Sequence, residues 1–188
     1  MTHLYFFGYG SLVNRKTHEY APTAPARIRG WRRAWRCSAL RTACYLTAIP
    51  SPNGEIDGLI AAVAASDLAA LDERERAYSR IKATEAVTHA LPDAAEISIY
   101  AIPKKHHAPP GPDNPVLLSY LDVVVQGYMR EFGEAGVNRF FSSTDGWQAV
   151  ILDDRDAPVY ARHQPTTAAE RARVDTYLDA LSAVVKKL

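Results

Sequence analysis

Leu4-Tyr5-Phe6-Phe7-Gly8-Tyr9-Gly10-Ser11-Leu12 is the stretch whose reading decides the fold. The run from Leu4 to Phe7 is unbroken apolar and aromatic sequence, the pattern of a strand buried on both faces. Gly8 and Gly10 bracket Tyr9, and Ser11 follows. Closely spaced glycines let a strand turn sharply, because Gly tolerates positive φ and carries no Cβ. Successive backbone N–H groups in such a turn can form a nest for an anion or oxyanion. A single G-x-G is more often only a tight turn, so a second constellation is needed beside it.

The wider composition bounds the answer. The chain has 188 residues, enough for one domain with a substantial core, and we read residues 1–188 as a single unit with a helical part from about residue 114. Apolar residues at 47% and charged residues at 23% are ordinary for a soluble globular protein, and the net charge of +1 gives no general field toward nucleic acid or a membrane. No apolar run is long enough to cross a bilayer, and the short apolar start lacks the basic flank of a signal peptide. The expected location is cytoplasmic, where two reduced thiols at Cys37 and Cys44 are a simpler account than the alternative of a disulfide between them. The two cysteines and scattered histidines hold no metal-ligand spacing, so no metal is expected.

Outward from the opening stretch, residues 14–25 read as a loop. Residues 26–35 read as a strand around Gly30, and arginine is repeated six times between Arg27 and Arg41, mostly as stems covering strand surface. Residues 43–49 and 56–63 read as two strands joined by a Pro50-Ser51-Pro52-Asn53-Gly54 turn, which predicts a hairpin. Ser66 and Asp67 open a helix that reaches about Ala77. Strands follow over 83–89 and 97–102, separated by Pro92-Asp93. The segment 103–115 is a proline-rich surface loop. Asn114 and Pro115 then start a helix whose apolar positions include Leu117, Leu121, Val124 and Tyr128, with Gly133 as a stop. An irregular piece over 140–147 leads to a strand at 150–152. Thr167 and Glu170 have the spacing of a capping box, opening a last helix to the C-terminus. Strands first and helices later make an α+β arrangement around one sheet or barrel.

The helix after Ser66 carries a residue out of place. Leu68 and Leu71 define its buried stripe, and the next positions on that stripe are Glu75 and Tyr78. Glu73, Arg74 and Arg76 fall on the solvated side. A carboxylate facing inward can take and return a proton. The plainer alternative is a polar helix end, with Glu75 paired to Arg80 or another arginine. Asp72, four residues beyond Leu68, is the rival carboxylate.

Together the two pieces resemble the gamma-glutamylcyclotransferase family. Its Y-G-S-L turn after the first strand is matched by Tyr9-Gly10-Ser11-Leu12, and its glutamate in an L-D-x-x-E helix end by Leu71 to Glu75. Tyr78-Ser79-Arg80 and Gly30-Trp31-Arg32-Arg33 are similar to further recurrent family elements. The form Phe7-Gly8-Tyr9-Gly10-Ser11-Leu12 is more similar to the bacterial and glutathione-acting branches than to the human-type enzyme. The likeness covers about the first half of the chain.

The resemblance implies a small mixed β-barrel or sheet flanked by helices, with a cavity at the turn. It implies release of 5-oxoproline from a small gamma-glutamyl compound, such as glutathione or a gamma-glutamyl amino acid, with no cofactor. On that reading Glu75 is the catalytic base and acid. Tyr9, Gly10, Ser11 and Leu12 bind substrate through backbone N–H groups, and Tyr78 and Arg80 shape the pocket. Ser11 is not a nucleophile, because the substrate's own amine attacks. Three alternatives stay open: a cyclotransferase for gamma-glutamyl amines, one for a biosynthetic gamma-glutamyl intermediate, and a non-catalytic ligand-binding relative. The 140–147 segment is a candidate wall on the leaving-group side, and its alternative is a buried connection. Nucleic acid ranks last as a partner, and oligomeric state is not readable.

Overall fold

The computed structural model describes residues 4–38, 42–92, 96–108, 111 and 114–188. Arg41, Asp93 and most of the proline run at 109–113 lie outside the described residues. The elements are β1 (Leu4–Gly8), β2 (Thr23–Arg36), β3 (Tyr45–Val63), α1 (Leu68–Arg74), β4 (Ser79–Lys82), β5 (Val87–His89), β6 (Glu96–Ala101), β7 (Val116–Leu117), α2 (Leu118–Ser142), β8 (Thr144–Asp145), β9 (Ile151–Asp153), α3 (Ala168–Ala180) and β10 (Val185–Lys187).

The fold is α+β. The large mixed sheet has the order β4-β6-β1-β3-β2-β5, with β8 added to β2, and it is open: among the described residues its end strands β4 and β5 do not pair with each other. The barrel expected from the resemblance is therefore corrected to an open sheet flanked by helices. β1 lies centrally, antiparallel to β3 and parallel to β6, which explains its unbroken apolar run. Tyr5 and Phe7 belong to the main core with α2, whereas Phe6 joins Leu12, Leu71 and Tyr100 in a second cluster packed by Leu68 and Tyr78. The alternation along β1 thus separates the two clusters, with α1 belonging to Phe6's. At seven residues, α1 is too short to be stable alone. Burying Leu71 completely, worth about 1.5–3 kcal/mol for a leucine, fixes it to the sheet.

The hairpin expected at Pro50–Gly54 does not form. β3 runs continuously from Tyr45 to Val63 against β2, with Arg29 opposite Glu55 and Trp31 opposite Pro50. Residues 51–54 therefore bulge opposite Gly30, which has φ +80°. Pro50 and Pro52 cannot donate to the ladder, so it lapses there and resumes at Glu55. The reversal falls instead between β2 and β3, flanked by Cys37 and Cys44. These two are joined as a disulfide, correcting the expected pair of reduced thiols.

Three further boundaries differ from the sequence reading. Asp67, not Ser66, caps α1, and its side chain makes no capping bond. α2 begins at Leu118 because the distant Asp154 carboxylate accepts from Ser119 N at 2.8 Å and Ser119 Oγ at 2.6 Å, taking the capping role assigned to Asn114. The part beyond residue 114, expected to be helical, also holds a small sheet of order β10-β9-β7. Gly133, at φ 63°, interrupts α2 as expected, and the chain resumes helical conformation to Ser142. The capping box of Thr167 and Glu170 forms as read.

The segment after β1 is held from behind by α2 and by His18. Asn14, fully buried, donates through Nδ2 to Val123 O at 3.0 Å and to Gln126 Oε1 at 2.9 Å. A Cβ added at Gly127 would lie 2.7 Å from Asn14 N, so α2 needs a glycine where it crosses this segment. His18 Nε2 lies 3.1 Å from Leu12 O and so carries the donated proton, while its Nδ1 is buried without a partner among the described residues. Burial lowers the His18 pKa from 6.5 to about 4; the Leu12 contact opposes this, and the charges of Arg74 and Arg15 add to it.

Two outcomes follow. Gly127→Ala should lose about 1–3 kcal/mol in urea unfolding through overpacking, and a variant as stable as the parent would disprove the close crossing. Because the folded pKa of His18 is depressed, the unfolded chain binds its proton first. The His18 contribution is therefore intact above about pH 6.5 and is lost as pH falls toward about 4. The fall in melting temperature from pH 7.5 to pH 5 should be smaller in His18→Gln, which can still donate to Leu12; identical falls would contradict this origin.

Candidate active site

The end of β1, the end of α1 and the start of α2 converge on a cleft. Phe7 to Leu12 form its base with Leu46 and Tyr100, and Glu75, Tyr78 and Tyr120 complete an inner lobe of about 340 Å³, open to solvent. An outer lobe of about 330 Å³ shares Ser11, Glu75, Tyr78 and Tyr120, and adds Tyr45, Arg74, Tyr160 and Arg162. The turn and the helix-end carboxylate singled out in the sequence thus line one cavity.

The turn is shaped by close approach and not by left-handed backbone, which corrects the expected role of its glycines. Positive φ occurs at Gly30, Gly133 and Gly146, not at Gly8 or Gly10. A Cβ on Gly8 would come within 2.6 Å of Leu12 Cβ, and one on Gly10 within 2.6 Å of Tyr120 Oη. Ser11 to Val13 form a 3-10 turn closed by Val13 N donating to Gly10 O at 3.0 Å. The N–H groups of Ser11 and Leu12, first in that turn, have no carbonyl partner inside it. Tyr9 turns its side chain into the protein, where its hydroxyl donates to Tyr100 O at 2.5 Å and accepts from Ala48 N at 3.0 Å. Burial raises the Tyr9 phenol pKa well above the ordinary range, so it stays protonated. Tyr9 lines the inner lobe, and its hydroxyl anchors β1 to β3 and β6.

Behind the turn lies a buried cation. Arg33, 1% exposed, donates to Tyr128 Oη at 2.7 Å, Ser143 Oγ at 2.7 Å and Thr144 Oγ1 at 3.0 Å, with its guanidinium carbon 5.1 Å from the Tyr128 ring centre and 5.0 Å from that of Phe140. Tyr128 Oη in turn lies 2.5 Å from Asp57 O and 3.1 Å from Tyr9 O. This arginine is not one of the solvent-headed stems expected along β2.

Glu75 sits at the C-cap of α1, its N–H donating to Leu71 O at 2.9 Å and its carbonyl accepting from Tyr78 N at 2.7 Å. Its side chain is only 15% exposed, and Oε1 is 3.3 Å from Arg74 Nε. Arg74, expected to be solvated, is instead buried to 9% exposure and reaches Thr17 O at 3.1 Å. It ties the helix end to the segment following the turn. Tyr78 donates to Leu46 O at 2.9 Å and lines both lobes. Arg80 does not line the cleft: it lies 3.4 Å from Asp72, which also accepts from Tyr100 Oη at 2.5 Å. Arg80 is thus linked to the inner lobe through Asp72 and Tyr100, and among the described residues the rival carboxylate Asp72 lines neither lobe.

Residues 140–147 line neither lobe. Phe141 stacks on Trp147 at 5.0 Å and on Tyr177 at 4.4 Å, and Asp145 accepts two 2.7 Å bonds from Arg32. Tyr160 and Arg162, which no periodicity marks, line the outer lobe instead. Tyr160 donates to Ser11 Oγ at 2.8 Å across a sequence separation of 149, and its ring meets Tyr120 edge-on at 5.0 Å. Six of the chain's 10 tyrosines line the two lobes: Tyr9, Tyr45, Tyr78, Tyr100, Tyr120 and Tyr160.

Solved structures share this fold at low identity. An uncharacterized protein from Homo sapiens is 19% identical, with TM-score 0.55, covering 94% of this chain and 99% of its own. A gamma-glutamyl cyclotransferase is also 19% identical, with TM-score 0.53 and coverage of 93% and 98%. YkqA from Bacillus subtilis is 13% identical, with TM-score 0.56, covering 74% of this chain and 53% of its own. No curated protein matches the sequence. The gamma-glutamyl cyclotransferase, AIG2-like family matches residues 6–117, which include the turn, Arg33 and Glu75. The chain belongs to that family.

Proposed function

We propose that the protein is a gamma-glutamylcyclotransferase that releases 5-oxoproline from a small gamma-glutamyl compound. The observation that carries this reading is the Glu75 carboxylate lining the same inner lobe as the Gly8–Leu12 turn. The family of the chain supports it. A gamma-glutamyl group in this lobe has its α-amine and γ-carbonyl in one molecule, so the site's first task is to hold the folded conformer in which they meet. The tyrosine-rich walls and the base formed by the turn suit that task.

Glu75 takes a proton from the substrate ammonium. The freed amine nitrogen attacks the γ-carbonyl carbon, forming the new C–N bond of a five-membered ring and placing negative charge on the carbonyl oxygen. The backbone N–H groups of the Tyr9–Leu12 turn stabilise either that oxygen or the substrate α-carboxylate. The oxygen then returns its electron pair, the bond to the departing amine breaks as Glu75 delivers its proton to that nitrogen, and the ring nitrogen gives up its second hydrogen as a proton, which Glu75 passes to the released amine. The products are 5-oxoproline and a free amine, and no covalent enzyme intermediate is needed. Ser11 serves as a polar contact held by Tyr160, and Arg74 fixes the carboxylate from beside it.

Purified protein incubated with glutathione and a set of gamma-glutamyl amino acids and amines should yield 5-oxoproline from at least one. A panel without product refutes the reaction. Glu75→Gln should reduce kcat by about 10²–10⁴, the usual contribution of a positioned acid-base group, while keeping the parent's melting temperature. Full activity in that variant would remove Glu75 from the chemistry and leave the reaction itself standing.

A further inference from the structure

The identity of the departing amine is constrained by the outer lobe. A leaving group attached to a gamma-glutamyl unit in the inner lobe must pass the shared residues Ser11, Glu75, Tyr78 and Tyr120, and it then meets Arg74 and Arg162. These two arginines differ in what they are free to do. Arg74 is buried and engaged with Glu75 and Thr17. Arg162 is exposed, and among the described residues its guanidinium has no carboxylate partner within 4.0 Å.

The segment carrying Arg162 is docked at several points. Asp154, 1% exposed, accepts from Val159 N at 2.9 Å as well as from Ser119. Tyr160 reaches Ser11 at 2.8 Å, and His163 N donates to Tyr160 O at 3.0 Å. Arg162 is thus presented at the cleft mouth by a braced turn. The stretch lies beyond residue 117, where the family match ends, so it can distinguish this chain within the family.

We propose that Arg162 is a specificity-determining residue that anchors a carboxylate on the leaving group, so that gamma-glutamyl compounds of amino acids or short peptides are favoured over those of uncharged amines. The assignment rests on the cyclotransferase reading given above. In a gamma-glutamyl amino acid the leaving-group carboxylate is only three bonds from the scissile carbonyl carbon, close enough to enter the outer lobe when that carbon lies at the junction of the lobes. The planar guanidinium can receive it through two parallel hydrogen bonds. Beyond Arg162, a groove lined by Glu19, Tyr20, Asp67 and Arg74 continues outward. Its charge is mixed, so the cationic end of the path is the one adjoining the cleft.

The test compares gamma-glutamyl-alanine with gamma-glutamyl-ethylamine, which lacks only the carboxylate. The parent should favour the alanine compound by about tenfold or more in kcat/KM, the scale of a charge-assisted hydrogen bond. Arg162→Ala should lose that preference, mostly through KM, with turnover of the ethylamine compound unchanged within about twofold. Arg162→Lys should keep part of it. Equal falls on both compounds, or an unchanged ratio, overturn the assignment. If neither compound is turned over by the parent, the cyclotransferase reading fails for this pair. Calorimetric binding of gamma-glutamyl-alanine to parent and Arg162→Ala then decides the anchor separately: about tenfold weaker binding by the variant upholds it, and equal or absent binding overturns it.

Discussion

The structure depends on a buried polar seam between the turn after β1 and one face of α2. Tyr120, Val123, Gly127 and Tyr128 follow helical spacing, and each meets the turn or the segment behind it. Tyr120 packs against Gly10, Val123 O receives Asn14, Gly127 makes room for Asn14, and Tyr128 Oη lies by Tyr9 O. Buried polar groups are costly unless satisfied, so this seam tolerates few alternative registers. Arg33 completes it. Its positive charge is taken up by three side-chain oxygens and two aromatic faces, and its Tyr128 contact carries the constraint from β2 to the turn.

How much of this was legible follows from the range over which each signal acts. β1 and the capping box at Thr167 are local patterns, and both appear where the sequence puts them. Glu75 was legible because Leu68 and Leu71 define one helical stripe that leads to it, even though α1 itself closes one residue earlier. The Pro50–Gly54 segment misleads because the same residues that make a hairpin turn also make a bulge. Only the pairing of β3 with Gly30 and its neighbours on β2 decides between them. Openness of the sheet is likewise a property of which edge strands meet, and no single strand encodes it.

The outer half of the cleft was the least legible part. Its residues come from the turn after β1, β3, the end of α1 and the residues after it, the start of α2 and the loop after β9, and a second small sheet packs against α2 beside them. Asp154 is the clearest case. In sequence it is one aspartate among Asp153, Asp154 and Asp156, yet it is almost fully buried and serves both the start of α2 and the loop carrying Tyr160. One carboxylate therefore sets the position of Tyr120 through the helix start and of Tyr160 through the loop.

This arrangement divides the labour of the site between two parts of the chain. On the proposed reaction the turn and Glu75, both within the family-matched region, surround the place where a ring would close; Tyr9 fixes the turn to β3, β6 and α2, and Glu75 lies beside Arg74. A reaction whose nucleophile and electrophile share one molecule asks chiefly for such fixed geometry, and it places few demands on the group that departs. The departing side is accordingly free to vary without disturbing the chemistry. On the proposed reaction that side is built by a loop joined to the turn through Tyr160 and Ser11. That bond is a physical link between the two halves: it holds the loop at the cleft mouth and orients the Ser11 hydroxyl of the turn. On that reading, a change of leaving-group preference can arise in the loop after β9 while the turn, Glu75 and the seam behind them stay as they are.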